Sequence, residues 1–234
     1  MRPRMSLSGR LGAVLCAVLG AAAAARAAEK ADPPTEKVIG IDGEKWTSLF
    51  DGKQLGKWEV LKKSFFDSPG KVQAESDCLV LSSGQPATGI RWSGEFPKID
   101  YELALEARRV EGNDFFCGLT FPVEDKALTL IMGGWGGWLV GLSCLDGFKA
   151  DENETSTAIQ FEQQRWYHVR LRVTKPKITV WIDDKETIVL EPGERKLSVS
   201  WEMEPCQPLG VATWYTTGSL RNIQYRTLDA QPKK

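Results

Sequence analysis

The 234-residue chain sets 30 lysines and arginines against 31 aspartates and glutamates, for a formal net charge of −1. That balance supplies no field to gather nucleic acid or anionic lipid, and it directs attention to an uncharged partner. Nine tryptophans point the same way, because an indole face packs well on the apolar face of a sugar ring, although most indoles in a domain serve packing.

In chain order, Arg2, Arg4 and Arg10 precede an apolar stretch from Leu11 to Ala25, and Ala25-Arg26-Ala27 has the small-x-small form of a cleavage site. Residues 1–27 therefore read as a secretory signal peptide. The apolar run is shorter than the ~20 residues of a membrane span, and Leu15 before Cys16 is not the small residue that a lipoprotein signal uses. The mature chain is expected to be exported, to the periplasm or the medium, with no membrane span. Residues 28–36, rich in Ala, Pro and charge, read as a disordered leader, 37–229 as one all-β domain, and 230–234 as a tail. In an oxidising compartment Cys78, Cys117, Cys144 and Cys206 form either one or two disulfides or buried thiols, and their spacings are not those of a zinc site.

The phrase from Glu44 to Val60, EKWTSLFDGKQLGKWEV, places an Asp51-Gly52 turn between Trp46 and Trp58 and predicts two short strands joined as a hairpin. Tyr101 to Arg109 alternates: Tyr101, Leu103, Leu105 and Ala107 face a core, while Glu102, Ala104, Glu106 and Arg108 face water. Trp166 to Val173 alternates in the same way and sets His168 beside Arg170 and Arg172, at a surface or groove edge. Ile178 to Ile182, an Asp183-Asp184 turn and Glu186 to Leu190 form a hairpin, and Leu209 to Trp214 and Ser219 to Tyr225 are the closing strands. With no long amphipathic helix, the pattern is all-β: two antiparallel sheets packed face to face as a jelly roll, a topology that commonly closes with its terminal strands side by side.

WTSLFDGKQLGKWEV, IDYELALEARRVEGND and RWYHVRLRVTKPKITVWIDDKE together resemble the 3-keto-disaccharide hydrolase domain family, also described as a 3-keto-glucoside lyase and hydratase domain. The resemblance implies the concanavalin A-like, laminin G-like sandwich and action on a glycoside oxidised to a ketone at C3. Members follow the acidic strand with a Gly-Asn-Ser-Gly turn and an arginine at the end of the next strand. This chain has Gly112-Asn113-Asp114-Phe115, with Leu119 near the arginine's place.

A C3 ketone acidifies the C2 proton, so such chemistry needs a base, a stabiliser for the enolate and an acid for the departing glycosidic oxygen. Glu106 and Arg108 match the family's acidic strand, which casts Glu106 as base and Arg108 as clamp; Asn113 or Asp114 then hydrogen-bonds the sugar, Asp114 counting among the catalytic candidates. The alternative reading of Glu106 and Arg108 is a solvated charge pair. GGWGGW, Gly133 to Trp138, presents Trp135 and Trp138 either as sugar platforms, with Trp214, or as packing at a sheet edge. The loop LDGFKADENETS gathers Asp146, Asp151 and Glu152, oxygen ligands that suit calcium although their spacing is not that of an EF-hand; a plain acidic loop is the alternative. No Glu-x-Asp-x-x-Glu run supports direct two-carboxylate hydrolysis. The functional expectation is cleavage of 3-keto-glycosides, with a non-catalytic carbohydrate-binding module, or a laminin G-type adhesive domain, as the alternatives.

Overall fold

The computed structural model describes residues 46–228, so the signal peptide and leader, and the tail expected at 230–234, lie outside the described residues. Along the chain run β1 (Thr47–Ser48), β2 (Trp58–Val60), β3 (Val72–Glu75), β4 (Cys78–Leu81), β5 (Ala87–Trp92), β6 (Tyr101–Glu111), β7 (Cys117–Val123) and β8 (Lys126–Gly133). They are followed by β9 (Leu139–Ser143), β10 (Thr157–Ala158), β11 (Tyr167–Val173), β12 (Ile178–Ile182), β13 (Lys185–Leu190), β14 (Gly210–Trp214) and β15 (Thr217–Thr227). The first sheet has the order β13-β12-β11-β6-β15-β4-β3, with β1 added on β15; the second has the order β10-β9-β8-β7-β14-β5-β2. Neighbouring strands in both sheets run antiparallel, giving the all-β jelly-roll sandwich that the alternation predicts.

The inward set of β6 explains the stacking. Leu103 lies opposite Leu171 on one side and Tyr225 on the other, and it shares a single core with Leu119, Phe121, Leu128 and Leu130 of the second sheet. Tyr101, wholly buried, donates its hydroxyl hydrogen to the Pro122 carbonyl at 2.7 Å and so ties β6 to β7 across the sandwich. Burial holds that phenol well above its ordinary ionisation range, near 10.

The opening phrase is not a hairpin. β1 pairs with β15 in the first sheet, and β2 pairs with β5 in the second. Leu49 and Phe50 are both buried, and the Trp58 indole N–H donates to the Leu49 carbonyl at 2.9 Å, so the phrase is the corner at which the chain crosses between sheets. The Asp51 carboxylate caps that corner through the Lys53 and Gln54 N–H groups. The terminal strands do lie side by side, with Thr47 opposite Tyr225.

A second apolar cluster, unforeseen from the sequence, forms on the outer face of the second sheet. Ile131, whose neighbours Leu130 and Met132 belong to the main core, joins Phe66, Phe115 and Met203 there. Phe66 and Met203 come from the short 3-10 segments Ser64–Phe66 and Trp201–Cys206, which cover part of this face. The four cysteines in the described residues are free and buried, and burial pushes the Cys117 and Cys206 thiols up to about 12. Of the two sequence alternatives, the thiols hold.

Replacing Leu103 by Ala opens a cavity where both flanking strands and the opposite sheet meet, and is expected to lower unfolding free energy by about 2–5 kcal/mol in denaturant melts.

Candidate functional site

The expected site residues divide between two faces of the sandwich. On the outer face of the first sheet, register sets Arg172 and Arg226 on either side of Glu102, and His168 and Arg221 on either side of Glu106. Glu102 has no solvent exposure; its carboxylate accepts from Arg172 Nε at 2.6 Å and Arg226 Nε at 2.7 Å, with Arg170 at 3.5 Å. Glu106 accepts from Arg221 Nε at 2.6 Å and Asn222 Nδ2 at 2.8 Å, with His168 Nε2 at 3.9 Å. Two consecutive β15 side chains reach one carboxylate because the register shifts between Arg221 and Gln224, where Asn222 takes a left-handed φ of 52°. Arg108 and Arg221 lie over the Trp166 ring, and Arg170 lies over Trp181.

Glu106 and Arg108 therefore share the outward face, as the alternation predicts, but Glu106 is not wet. It is 2 % exposed, and both of its oxygens are engaged, one by Arg221 and the other by Asn222. It is placed to fix Arg221 and Asn222, and a buried carboxylate with both oxygens taken lies out of hydrogen-bond reach of a substrate carbon's proton.

The second face holds a cavity of ≈ 260 Å³ on the outer side of the second sheet. Its apolar wall is Phe115, Ile131 and Met203, its indoles are Trp135 and Trp214, and its polar groups include Asp114, Lys149 and Glu202. Trp214 stacks on Phe115 with ring centroids 6.0 Å apart. Asp114 is positioned by the β6–β7 connection: its N–H donates to Thr216 Oγ1 at 3.0 Å, and its carboxylate accepts the Phe115 N–H at 2.7 Å. Burial raises its pKa above the usual aspartate range, outweighing the opposing pull of the Phe115 N–H and the Arg109 charge. Lys149 Nζ donates to Glu202 Oε1 at 2.9 Å, and this bond, before any other effect, holds the ammonium's pKa above its ordinary range. Burial draws Glu202 upward, but its own backbone N–H and Lys149 outweigh that, leaving it below the ordinary glutamate range.

GGWGGW forms the turn between β8 and β9. Trp135 has φ 49° there and is 41 % exposed. The Arg109 guanidinium runs beneath the turn and donates to the Gly137 carbonyl. Both Gly133 and Gly137 have positive φ, which favours glycine; a Cβ on Gly137 would also lie 2.9 Å from the Asn113 carbonyl oxygen, and one on Gly133 would lie 2.5 Å from the Arg109 guanidinium and displace it.

Asp114, Trp135 and Trp214 thus converge. Asn113 and Trp138 are exposed nearby without lining the cavity, and Glu106 and Arg108 face away on the other sheet. Lys149 and Glu202 went unread: Lys149 sits inside a loop that drew notice for its carboxylates, and Glu202 lies in a segment without periodicity. The acidic loop does not form a cation cage. Asp146 accepts from the Lys196 N–H and Arg195 Nε, each at 2.8 Å, which hold its pKa low; Glu152 accepts the Lys149 N–H at 3.1 Å; and Asp151 is exposed. Among the described residues no group of three or more His, Cys, Asp or Glu side chains is placed to hold a metal ion. Nor is any described helix long and apolar enough to cross a membrane.

No curated protein matches the chain in sequence. The 3-keto-alpha-glucoside-1,2-lyase-like domain family matches residues 45–226. Among solved structures the chain is similar to the apo Crh5 transglycosylase at 14 % identity and TM-score 0.53, covering 80 % of this chain and 85 % of that one. It is similar to the same transglycosylase in complex with NAG at 13 % identity and TM-score 0.50, covering 75 % and 80 %. It is also similar to the carbohydrate-binding module CBM66 from Bacillus subtilis at 15 % identity and TM-score 0.45, covering 73 % and 96 %. At these identities the likeness to the two transglycosylase structures speaks for the fold alone.

Two substitutions test the placement. Glu106→Gln leaves Arg221 without its counter-charge and is expected to lower stability by about 3 kcal/mol in denaturant melts. For Asp114, the folded state holds its proton to higher pH than the unfolded chain does, so its contribution is favourable at low pH and is lost as pH rises through the folded pKa. The melting temperature of Asp114→Asn relative to the unaltered protein is therefore expected to rise between acid and neutral pH, as followed by circular dichroism.

Proposed function

The chain belongs to the 3-keto-alpha-glucoside-1,2-lyase-like domain family, and on that premise we propose an exported, sugar-directed protein that cleaves 3-keto-glycosides in the cavity of the second sheet. One observation carries the reading: a carboxyl group of raised pKa and a lysine ammonium meet two indoles in one largely apolar cavity. Perturbed titratable groups in such a cleft are the features that acid–base chemistry uses.

In this reading Trp135 and Trp214 flank the sugar ring, and the ionised Asp114 takes the C2 proton. The electron pair of that C–H bond moves into the enolate, whose oxygen, once the C3 carbonyl, is stabilised by the Lys149 ammonium. Collapse of the enolate forms the C1–C2 double bond and breaks the bond from C1 to the glycosidic oxygen. That oxygen receives the proton held by Asp114, and addition of water across the new double bond returns the free 3-keto sugar. A carboxyl group whose pKa is lifted from the ordinary range is better matched to taking and returning a proton near neutrality. Glu202 keeps Lys149 charged and in place.

A second reading, a carbohydrate-binding module without turnover, is favoured by the exposed indoles of Trp138 and Trp201, the latter linked to the cavity wall through Phe65 and Trp214. Purified protein incubated with a 3-keto-disaccharide, with and without chelator, is expected to release the monosaccharides in both cases. Asp114→Asn should lower turnover by about 10²–10⁴-fold while retaining affinity, and Trp214→Ala should weaken affinity. Retained affinity without release by the unaltered protein would leave the binding module.

A further inference from the structure

We propose that the outer face of the first sheet is a second glycan-binding surface, selective for polysaccharides that carry carboxylate or sulfate groups. Arg170 and Arg172 project from alternate positions of β11, with side chains 38 % and 41 % exposed. Both lie over the Trp181 ring, at 4.0 and 5.8 Å from its centroid. Their carboxylate, Glu102, is shared with Arg226, so its single charge does not neutralise the two guanidiniums that reach solvent. In the adjoining row Arg221 meets Glu106, beside a half-exposed His168. Asp183, at the end of that row, is held by Arg165 at 2.6 Å. An exposed Glu186 on β13 lies opposite Trp181 at the margin of this face, and the face still sets Arg108, Arg170, Arg172, Arg221 and Arg226 against three carboxylates, Glu102, Glu106 and Glu186, on a protein whose formal net charge is −1.

Fixed guanidinium forks recognise carboxylate and sulfate oxygens in pairs, and stacking on indole orients them without consuming their outer N–H groups. From Trp181 on β12 through β11 and β6 to Arg221 on β15, three strand spacings cover roughly 14 Å, a span that suits an extended chain better than a single sugar. The indoles argue against single-stranded nucleic acid, which binds by stacking bases on open rings: Trp166 carries two guanidiniums, Arg108 and Arg221, and Trp181 carries Arg170 and Arg172. The choice of a saccharide as partner rests on the proposed function; the requirement for negative charge comes from this face alone.

The test compares dextran, dextran sulfate, polygalacturonate and single-stranded DNA by isothermal titration calorimetry over a salt series, with turnover of the 3-keto-disaccharide measured in parallel. Dextran sulfate, polygalacturonate or both should bind, with affinity falling as salt rises, and dextran should not. Binding of one acidic polymer alone identifies sulfate or carboxylate as the recognised group. Arg170→Gln, chosen because its contact with Glu102 is the longest of the three, should weaken binding about tenfold and leave turnover unchanged; Trp135→Ala should do the reverse. Arg172→Lys, which keeps the charge beside Glu102 but removes the fork, should also weaken binding and stands in if Arg170→Gln melts early. The proposal is overturned if neither acidic polymer binds, if dextran or DNA binds as tightly, or if both arginine variants bind unchanged. Failure of turnover alone, with arginine-dependent binding intact, would reject the cavity reading and keep this one.

Discussion

A carboxylate with no exposure at the centre of the first sheet is tolerated only because guanidiniums converge on it from both neighbouring strands, and much else follows from that constraint. Glu102 meets Arg172 on β11 and Arg226 on β15, while one residue further along β6 Leu103 meets Leu171 and Tyr225 in the core. A one-residue slip of β6 would drive the carboxylates into the sandwich and the leucines outward, so apolar burial and charge pairing specify the same register. The sheet is fixed from both sides, and the opposite sheet inherits a defined floor through Tyr101 and Pro122.

That agreement between levels is why the fold was legible. Tyr101 to Arg109 and Trp166 to Val173 show period two without interruption, and the face carrying Glu106, Arg108, His168 and Arg170 follows directly from it. What alternation cannot convey is a break in itself. The bulge at Asn222 brings Arg221 and Asn222 together on Glu106, and it turned a carboxylate expected to be wet into a buried one. The opening phrase misled for a related reason: Asp51-Gly52 marks a change of direction but does not say which sheet the next strand joins, and the buried Leu49–Trp58 contact decides that.

The cavity was less legible because it is assembled from distant segments. Lys149 and Glu202 are 53 positions apart, and Met203 arrives on a 3-10 turn that displays neither helical nor strand periodicity. Asp114 and the two indoles were visible as residue types, but their convergence depends on how the loops fold back over Ile131 and Phe115. The same apolar wall has a chemical consequence. By withdrawing water from Asp114 it disfavours the carboxylate form, so the surface that offers a sugar ring its packing partner also tunes the group proposed to act on that ring.

Positioning within the cavity depends in turn on Arg109, a residue that does not line it. Its guanidinium is desolvated, which lowers its pKa, and it lies 5.2 and 5.9 Å from the ring centroids of Phe116 and Phe161. From there it fixes the Gly137 carbonyl and acts electrostatically on Asp114. One buried cation thus sets the turn that carries Trp135 and opposes part of the burial effect on the neighbouring carboxyl group. The glycines at 133 and 137 are what allow it so close, since a side chain at either position would occupy the space of the guanidinium or of the Asn113 carbonyl. The conspicuous glycine–tryptophan phrase therefore has a double reading: its glycines admit a structural arginine, and that arginine holds the exposed indole beside the acid it is proposed to serve.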